Sequence, residues 1–121
     1  KSYQAVLSGA PELERGVLEH PLGPDPERAG RYLVRDDGKP ARTEYEVVDR
    51  KENRVDFFPH TGRSHQLRVH AAQGLGYPIR GDRLYEKEGP HQGRLLLHAR
   101  RLLFTHPVTG EPMDLVSEVP F

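Results

Sequence analysis

The sequence predicts an α+β fold, a mostly antiparallel sheet with one or two short helices. Two patterns carry that prediction. Several short segments alternate apolar and polar residues between clusters of Gly, Pro and Asp, as half-buried strands do. One stretch, after Ser64, instead has the start and stop signals of a helix. At 121 residues the chain has the length of one domain with one modest core.

In chain order, Tyr3, Ala5 and Leu7 alternate with Ser2, Gln4 and Val6 before Gly9, which predicts a strand ending in a turn. His20 to Gly30 contains Pro21, Gly23, Pro24 and Pro26 and is expected to be a loop. Arg31 to Arg35 reads as a strand, Asp36-Asp37-Gly38-Lys39 as a hairpin turn, and Thr43, Tyr45 and Val47 as one face of the returning strand. Asp49 to Asn53 then turns the chain into Val55 to Phe58, a second hairpin that Pro59 stops or leaves at an edge.

Ser64 is a suitable cap for a helix from about His65 to Gln73, closed by Gly74, with Leu67, Val69 and Ala71 facing inward. Arg68 lies one residue from that stripe, so its guanidinium can lean over the core edge. After Tyr77-Pro78-Ile79 and a Gly81-Asp82 turn, Leu95 to Leu97 predict a helical turn and Leu102 to Phe104 a strand; together they form an apolar block. Pro107 to Gly110 is a turn, and Met113 to Val119 is the last strand. The sequence has neither an internal repeat nor a low-complexity region.

The chain has no cysteine, which excludes disulfide staples and thiolate metal sites, and a reducing cytoplasm is the expected location. No apolar run approaches the roughly 18 residues that span a bilayer, so no membrane partner is expected. The 18 Lys/Arg and 18 Asp/Glu cancel, but unevenly. Residues 50 to 106 hold 11 bases against 5 acids, while residues 1 to 49 hold 7 against 10 and residues 107 to 121 hold 0 against 3. A central segment of +6 can contact phosphates whatever the global charge, because counterion release depends on local geometry.

The run Pro59-His60-Thr61-Gly62-Arg63-Ser64-His65-Gln66-Leu67-Arg68-Val69-His70 places two arginines and three histidines in twelve residues without a carboxylate. A one-sign patch among apolar residues is suited to an anionic partner. With Gly76-Tyr77-Pro78-Ile79-Arg80-Gly81-Asp82-Arg83-Leu84-Tyr85 it resembles the third motif of the RluA-type RNA pseudouridine synthases, PxTGRxHQLRVH followed by GxPIxGDxxY. Three further segments resemble that family in the same order. Lys1 to Val6 is similar to KxYxAxV, Gly38 to Tyr45 to GKxAxTxY, and Arg94 to Pro107 to RLxLHAxxLxFxHP.

The resemblance implies part of a pseudouridine synthase catalytic domain, acting on ribosomal or transfer RNA without metal or organic cofactor. In the family an aspartate attacks a flipped-out uridine, the glycosidic bond breaks, and the base rotates and rejoins through carbon. Tyr3 would stack on the base and move a proton late in the reaction, Arg68 would hold the aspartate ionised, and Leu67 would pack beneath the base. Without the resemblance, Tyr3 is an ordinary strand aromatic and Leu67 a core leucine. Arg63 and His65 are candidates for phosphate contact or for tying the loop to the helix; Arg80, Arg83 and Arg100 are further candidates for RNA. Asp82 and Tyr85 read as turn and packing residues. His65 and His70 are five apart, which does not give the one-face i, i+4 spacing of helical zinc ligands.

The family's nucleophile lies in an HRLDxxTSG motif, and none of Asp25, Asp36, Asp37, Asp49, Asp56, Asp82 or Asp114 has that setting. Residues 1–121 are therefore expected to form a single, partial catalytic domain that lacks the half bearing the nucleophile and is inactive alone. An unpaired sheet edge and self-association are expected with it. The alternative is a non-catalytic RNA-binding module derived from the same fold; a metal-dependent hydrolase is a more remote one.

Overall fold

The computed structural model describes residues 1–86 and 94–121; the side chains of Leu102 and Phe104, counted above in the apolar block, lie outside what it describes. Eight strands are present among the described residues: β1 Ser2–Val6, β2 Arg15–Leu18, β3 Leu22–Pro24, β4 Tyr32–Val34, β5 Thr43–Asp49, β6 Arg54–Pro59, β7 Leu97–Thr105 and β8 Pro112–Val116. Six form one antiparallel sheet in the order β2-β5-β6-β1-β7-β8, and β3 with β4 forms a separate ribbon. A single α-helical turn, α1 Gln66–Val69, runs directly into a π-helical segment, His70–Leu75.

The alternation in β1, β5 and β6 does what its period requires. Ala5, Tyr45, Val47, Val55 and Phe57 point to one face of the sheet and are buried there with Leu67 and Ala71 from the helix and with Ile79. Val69 points the other way along the helix and packs with Leu22, Ala41 and Tyr85 against the ribbon. The helical segment is thus wedged between sheet and ribbon, which explains why Gln66 and His70 are buried beside the expected Leu67, Val69 and Ala71.

Four expectations need correction. The Asp36–Lys39 turn does not join two paired strands: β4 pairs with β3, inside the segment read as a loop, while β5 pairs with β2 and β6. Gly38 holds this turn against β3, since a Cβ there would lie 2.5 Å from the Leu22 carbonyl oxygen. Ser64 does not cap the helix, which starts after His65 in a left-handed conformation (φ 56°) with no side-chain cap. The Gln66 side chain instead ties the helix start to the loop before it and to β5. Its oxygen accepts from the Thr61 hydroxyl at 2.7 Å and the Arg63 amide at 3.0 Å, while its nitrogen donates to the Arg42 carbonyl and the Thr43 hydroxyl. The helix closes at Gly76 (φ 84°), two residues beyond Gly74, because the π turns lengthen the segment. Finally, Leu95 to Leu97 forms no helical turn, and β7 begins at Leu97.

Candidate active site

The end of β1, the loop Pro59–Arg63 and α1 enclose a cleft of about 550 Å³ lined by Tyr3, Leu67, Arg68, Arg63 and His65, together with Lys1 and Leu97. Register explains the meeting. Tyr3 lies opposite Phe57 on β6, two positions before Pro59 ends the strand, so the following loop lines the cleft together with Tyr3. Leu67 is buried and Tyr3 half-buried in the same apolar cluster, which gives the cleft a dry floor with an aromatic wall. Among the described residues the Tyr3 hydroxyl has no hydrogen-bond partner.

Arg68 is not a solvated helix arginine. Its Nε and Nη2 donate to the two carboxylate oxygens of Asp82, at 3.0 and 2.7 Å, and its guanidinium lies 5.3 Å from the centre of the Tyr85 ring. Asp82 is fully buried, whereas 22 % of the Arg68 side chain remains exposed. The Asp82 hydrogen bonds hold the Arg68 charge more firmly than usual, raising its pKa although burial opposes this. A guanidinium carries five N–H groups, and the pair uses two of them. The remaining edge can bind a second carboxylate.

Asp82 and Tyr85, read from sequence as turn and packing residues, are thus part of the site's frame. Asp82 also accepts the backbone N–H groups of Leu84 and Tyr85 at 3.1 and 3.3 Å, folding the turn around its own carboxylate. Gly81 makes the turn feasible: its φ is 81°, and a Cβ would come within 2.2 Å of the Arg94 carbonyl oxygen. The Tyr85 hydroxyl accepts the Tyr32 amide at 2.9 Å and lies 2.8 Å from His65 Nδ1. Burial, and then the Arg68 charge, lower the His65 pKa and keep the ring neutral in this network. The signal for Asp82 was in the sequence, in a Gly-Asp turn followed three residues later by an aromatic.

The other arginines are dispersed. Arg63 is exposed at the cleft rim, its Nε donating to the Pro40 carbonyl at 2.8 Å. Arg80 and Arg83 are exposed on the chain following Ile79 and do not line the cleft. Arg100 is on the far side of the sheet. It is the extra residue of a bulge, with Ser2 opposite Arg101 and Tyr3 opposite Ala99, and it pairs with Asp56 at 3.2 Å. Asp56 is opposite Gln4 and bonded to it, and Gln4 alternates with Tyr3 across the sheet.

The comparisons with known proteins agree with this architecture. The profile of the RNA pseudouridylate synthase family matches residues 1–73. The dual-specificity RNA pseudouridine synthase RluA of Escherichia coli (strain K12) is 43% identical over 127 aligned residues, covering all of this chain and 58% of its own. The protein of the same description from Pasteurella multocida (strain Pm70) is 45% identical over 130 aligned residues, again covering all of this chain and 58% of its own. The solved structure of human RNA pseudouridylate synthase domain containing 1 superimposes with a TM-score of 0.85 at 31% identity, over 100% of this chain and 55% of that one. The 121 residues thus span a little over half the length of these relatives. With four ordered motifs, the sheet that positions them and these matches in agreement, the chain belongs to the RNA pseudouridylate synthase family, in its RluA-type branch.

Proposed function

We propose that this chain is part of an RNA-modifying isomerase that converts uridine to pseudouridine, and that its cleft receives the flipped-out uridine. The observation that carries this reading is the convergence of Tyr3, Leu67 and Arg68 on one cleft with a dry floor. The reaction needs no redox partner: the C1′–N1 bond breaks, the base turns, a C1′–C5 bond forms, C5 loses a proton and N1 gains one. Tyr3 offers the base a ring to stack on and a hydroxyl to move the C5 proton. Leu67 excludes water beneath it.

The attacking carboxylate comes from a segment outside these 121 residues. Asp82, the carboxylate nearest Arg68, is fully buried and holds four hydrogen bonds. Asp56 faces the opposite side of the sheet with Gln4 and Arg100. The free edge of Arg68 then receives the incoming aspartate, keeps it ionised and aims it, as an opposite charge within about 4 to 6 Å does. The substrate is ribosomal or transfer RNA in the cytoplasm. In isolation the chain retains RNA affinity and self-associates through the β7–β8 end of the sheet, where Leu103, Leu115 and Val116 are exposed.

The test is tritium release from RNA labelled at C5 of uridine. The full-length protein containing this chain should release it and the 121 residues alone should not. Release by the isolated chain would place the nucleophile among its own seven aspartates. No release by the full-length protein would overturn the assignment and leave the RNA-binding module.

A further inference from the structure

A second cleft of about 620 Å³ adjoins the first. It lies between the β3–β4 ribbon, the Asp36–Lys39 turn and the loop Gly62–Ser64. The two clefts share Gly62 and Arg63 as their common rim. Gly62 is exposed, and a Cβ there would meet nothing within 4 Å, so the rim forms an open saddle at Gly62 with the Arg63 side chain beside it. Tyr32 on the ribbon lines the second cleft and sets its ring edge-on against His65, which lines the first, with ring centres 5.1 Å apart.

The charges of this cleft are unequally committed. Arg35 is bound bidentately by Asp37, at 2.8 and 2.9 Å, and donates to the Pro24 carbonyl, so that pair is neutral and internal. Lys39 is exposed, and among the described residues its ammonium has no partner. Arg63 uses Nε on Pro40 and keeps its Nη groups. Two uncommitted cations therefore flank a half-buried aromatic, at a volume within the roughly 300–1,000 Å³ of small-ligand pockets. Cations tracking a backbone beside a ring that takes a base is how single-stranded nucleic acid is held without sequence readout.

We propose that this second cleft is a subsite for the nucleotide adjoining the target uridine, its phosphate crossing the Gly62 saddle between Arg63 and Lys39 and its base lying against Tyr32. This rests on the function proposed above, for the continuity of the two clefts is what makes the ligand the next nucleotide of the same strand. Shape and charge select an unpaired neighbour, since a base kept in a duplex stack cannot reach Tyr32.

The experiment is a binding series on the full-length protein with uridine and with oligouridylates of increasing length, extended on the 5′ or the 3′ side, at several salt concentrations. Lys39→Glu is the principal variant, because Lys39 touches only the second cleft. It should weaken the longer oligonucleotides about fivefold and make their log–log salt slope shallower by about 0.7, one phosphate's worth, while binding of the nucleoside is unchanged. Tyr32→Leu, which keeps apolar bulk, should lower affinity for the same lengths without changing the slope. Equal binding of long oligonucleotides by Lys39→Glu and the parent would overturn the subsite, as would equal weakening of nucleoside and long strands. Tritium release by the parent separates the two claims. With release but no length-dependent loss, only the subsite falls. With length-dependent loss but no release, the second cleft stands as an RNA track and the isomerase assignment falls.

Discussion

Arg68 and Asp82, fourteen residues apart, are joined by two parallel hydrogen bonds, with the carboxylate fully buried and the guanidinium still reaching the cleft. This asymmetry sets an order of stabilities. Asp82→Ala leaves a cation that can turn to water and should cost about 2–3 kcal/mol, below the range for breaking a fully buried pair. Arg68→Ala leaves a buried carboxylate with no countercharge, and should cost about 3–5 kcal/mol. Urea unfolding of the two variants measures the difference. Equal losses would show that the pair opens to solvent as a unit.

The same pair predicts a kinetic result in the full-length protein, given the isomerase activity proposed above. Arg68→Lys keeps the charge, but an ammonium is a point donor and cannot hold Asp82 along one edge and a second carboxylate along the other. kcat should fall steeply while KM changes little, the pattern of an interaction made during the chemistry and not in substrate binding. An Arg68→Lys enzyme with parental kcat would mean that charge alone suffices.

The two functions proposed for Tyr3 are separable by a single atom. Tyr3→Phe keeps the ring and its burial against the core, so stacking and KM should persist, while loss of the hydroxyl proposed to move the proton should lower kcat about 10²–10⁴-fold. A rise in KM at constant kcat would show that the hydroxyl serves binding alone.

Much of this was legible in sequence where a period of two ran for several residues. The alternation at Thr43, Tyr45 and Val47 and the turn at Asp49 to Asn53 specified β5, β6 and their hairpin, and with them the position of Pro59 at the start of the cleft loop. β2 was not legible: four residues including Gly16 offer no alternation, and Gly16 is there because a Cβ would lie 2.6 Å from the Tyr45 ring. β3 hid among prolines and glycines, since an edge ribbon tolerates residues that a central strand does not. The helix start was misread because Ser64 has the usual capping chemistry, whereas the Gln66 amide, four hydrogen bonds across a loop, leaves no local pattern. The positions of Arg63 and Arg100 on opposite sides of the sheet depended on a bulge that only the three-dimensional pairing reveals.

His70 makes stability pH-dependent. It is fully buried: Nε2 donates to the His20 carbonyl at 3.0 Å and Nδ1 accepts from the Thr43 hydroxyl at 2.8 Å, so both nitrogens are satisfied only in the neutral ring. Burial lowers its pKa. The unfolded chain therefore binds a proton below about pH 6.5 that the folded chain refuses until lower pH, and stability falls as pH drops through that window. His65, also lowered, acts in the same direction. The urea midpoint should be lower at pH 5.5 than at pH 7.5, and the difference should shrink in His70→Gln. A midpoint unaffected by pH would show that the buried ring takes up the proton in place.

Arg63 and Arg100 provide a test in which the total charge change is the same and only position differs. Arg63 is at the rim of both clefts with free Nη groups, while Arg100 is paired with Asp56 on the opposite face. If RNA were held by the overall field of the basic central segment, removing either arginine would reduce affinity equally at low salt. If it is held by contacts in the clefts, Arg63→Ala should make the log–log salt slope shallower by about 0.7 and Arg100→Ala should leave it unchanged. Both arginines are partly exposed and neither belongs to the apolar clusters, so both variants should unfold at nearly the parental urea concentration, and a difference in slope can be read as binding. Identical slopes for the two variants would mean that contacts of Arg63 in the clefts do not hold the RNA. A loss confined to Arg100→Ala would place it on the Asp56 side, where Lys1, Arg100 and Arg101 line a third cleft.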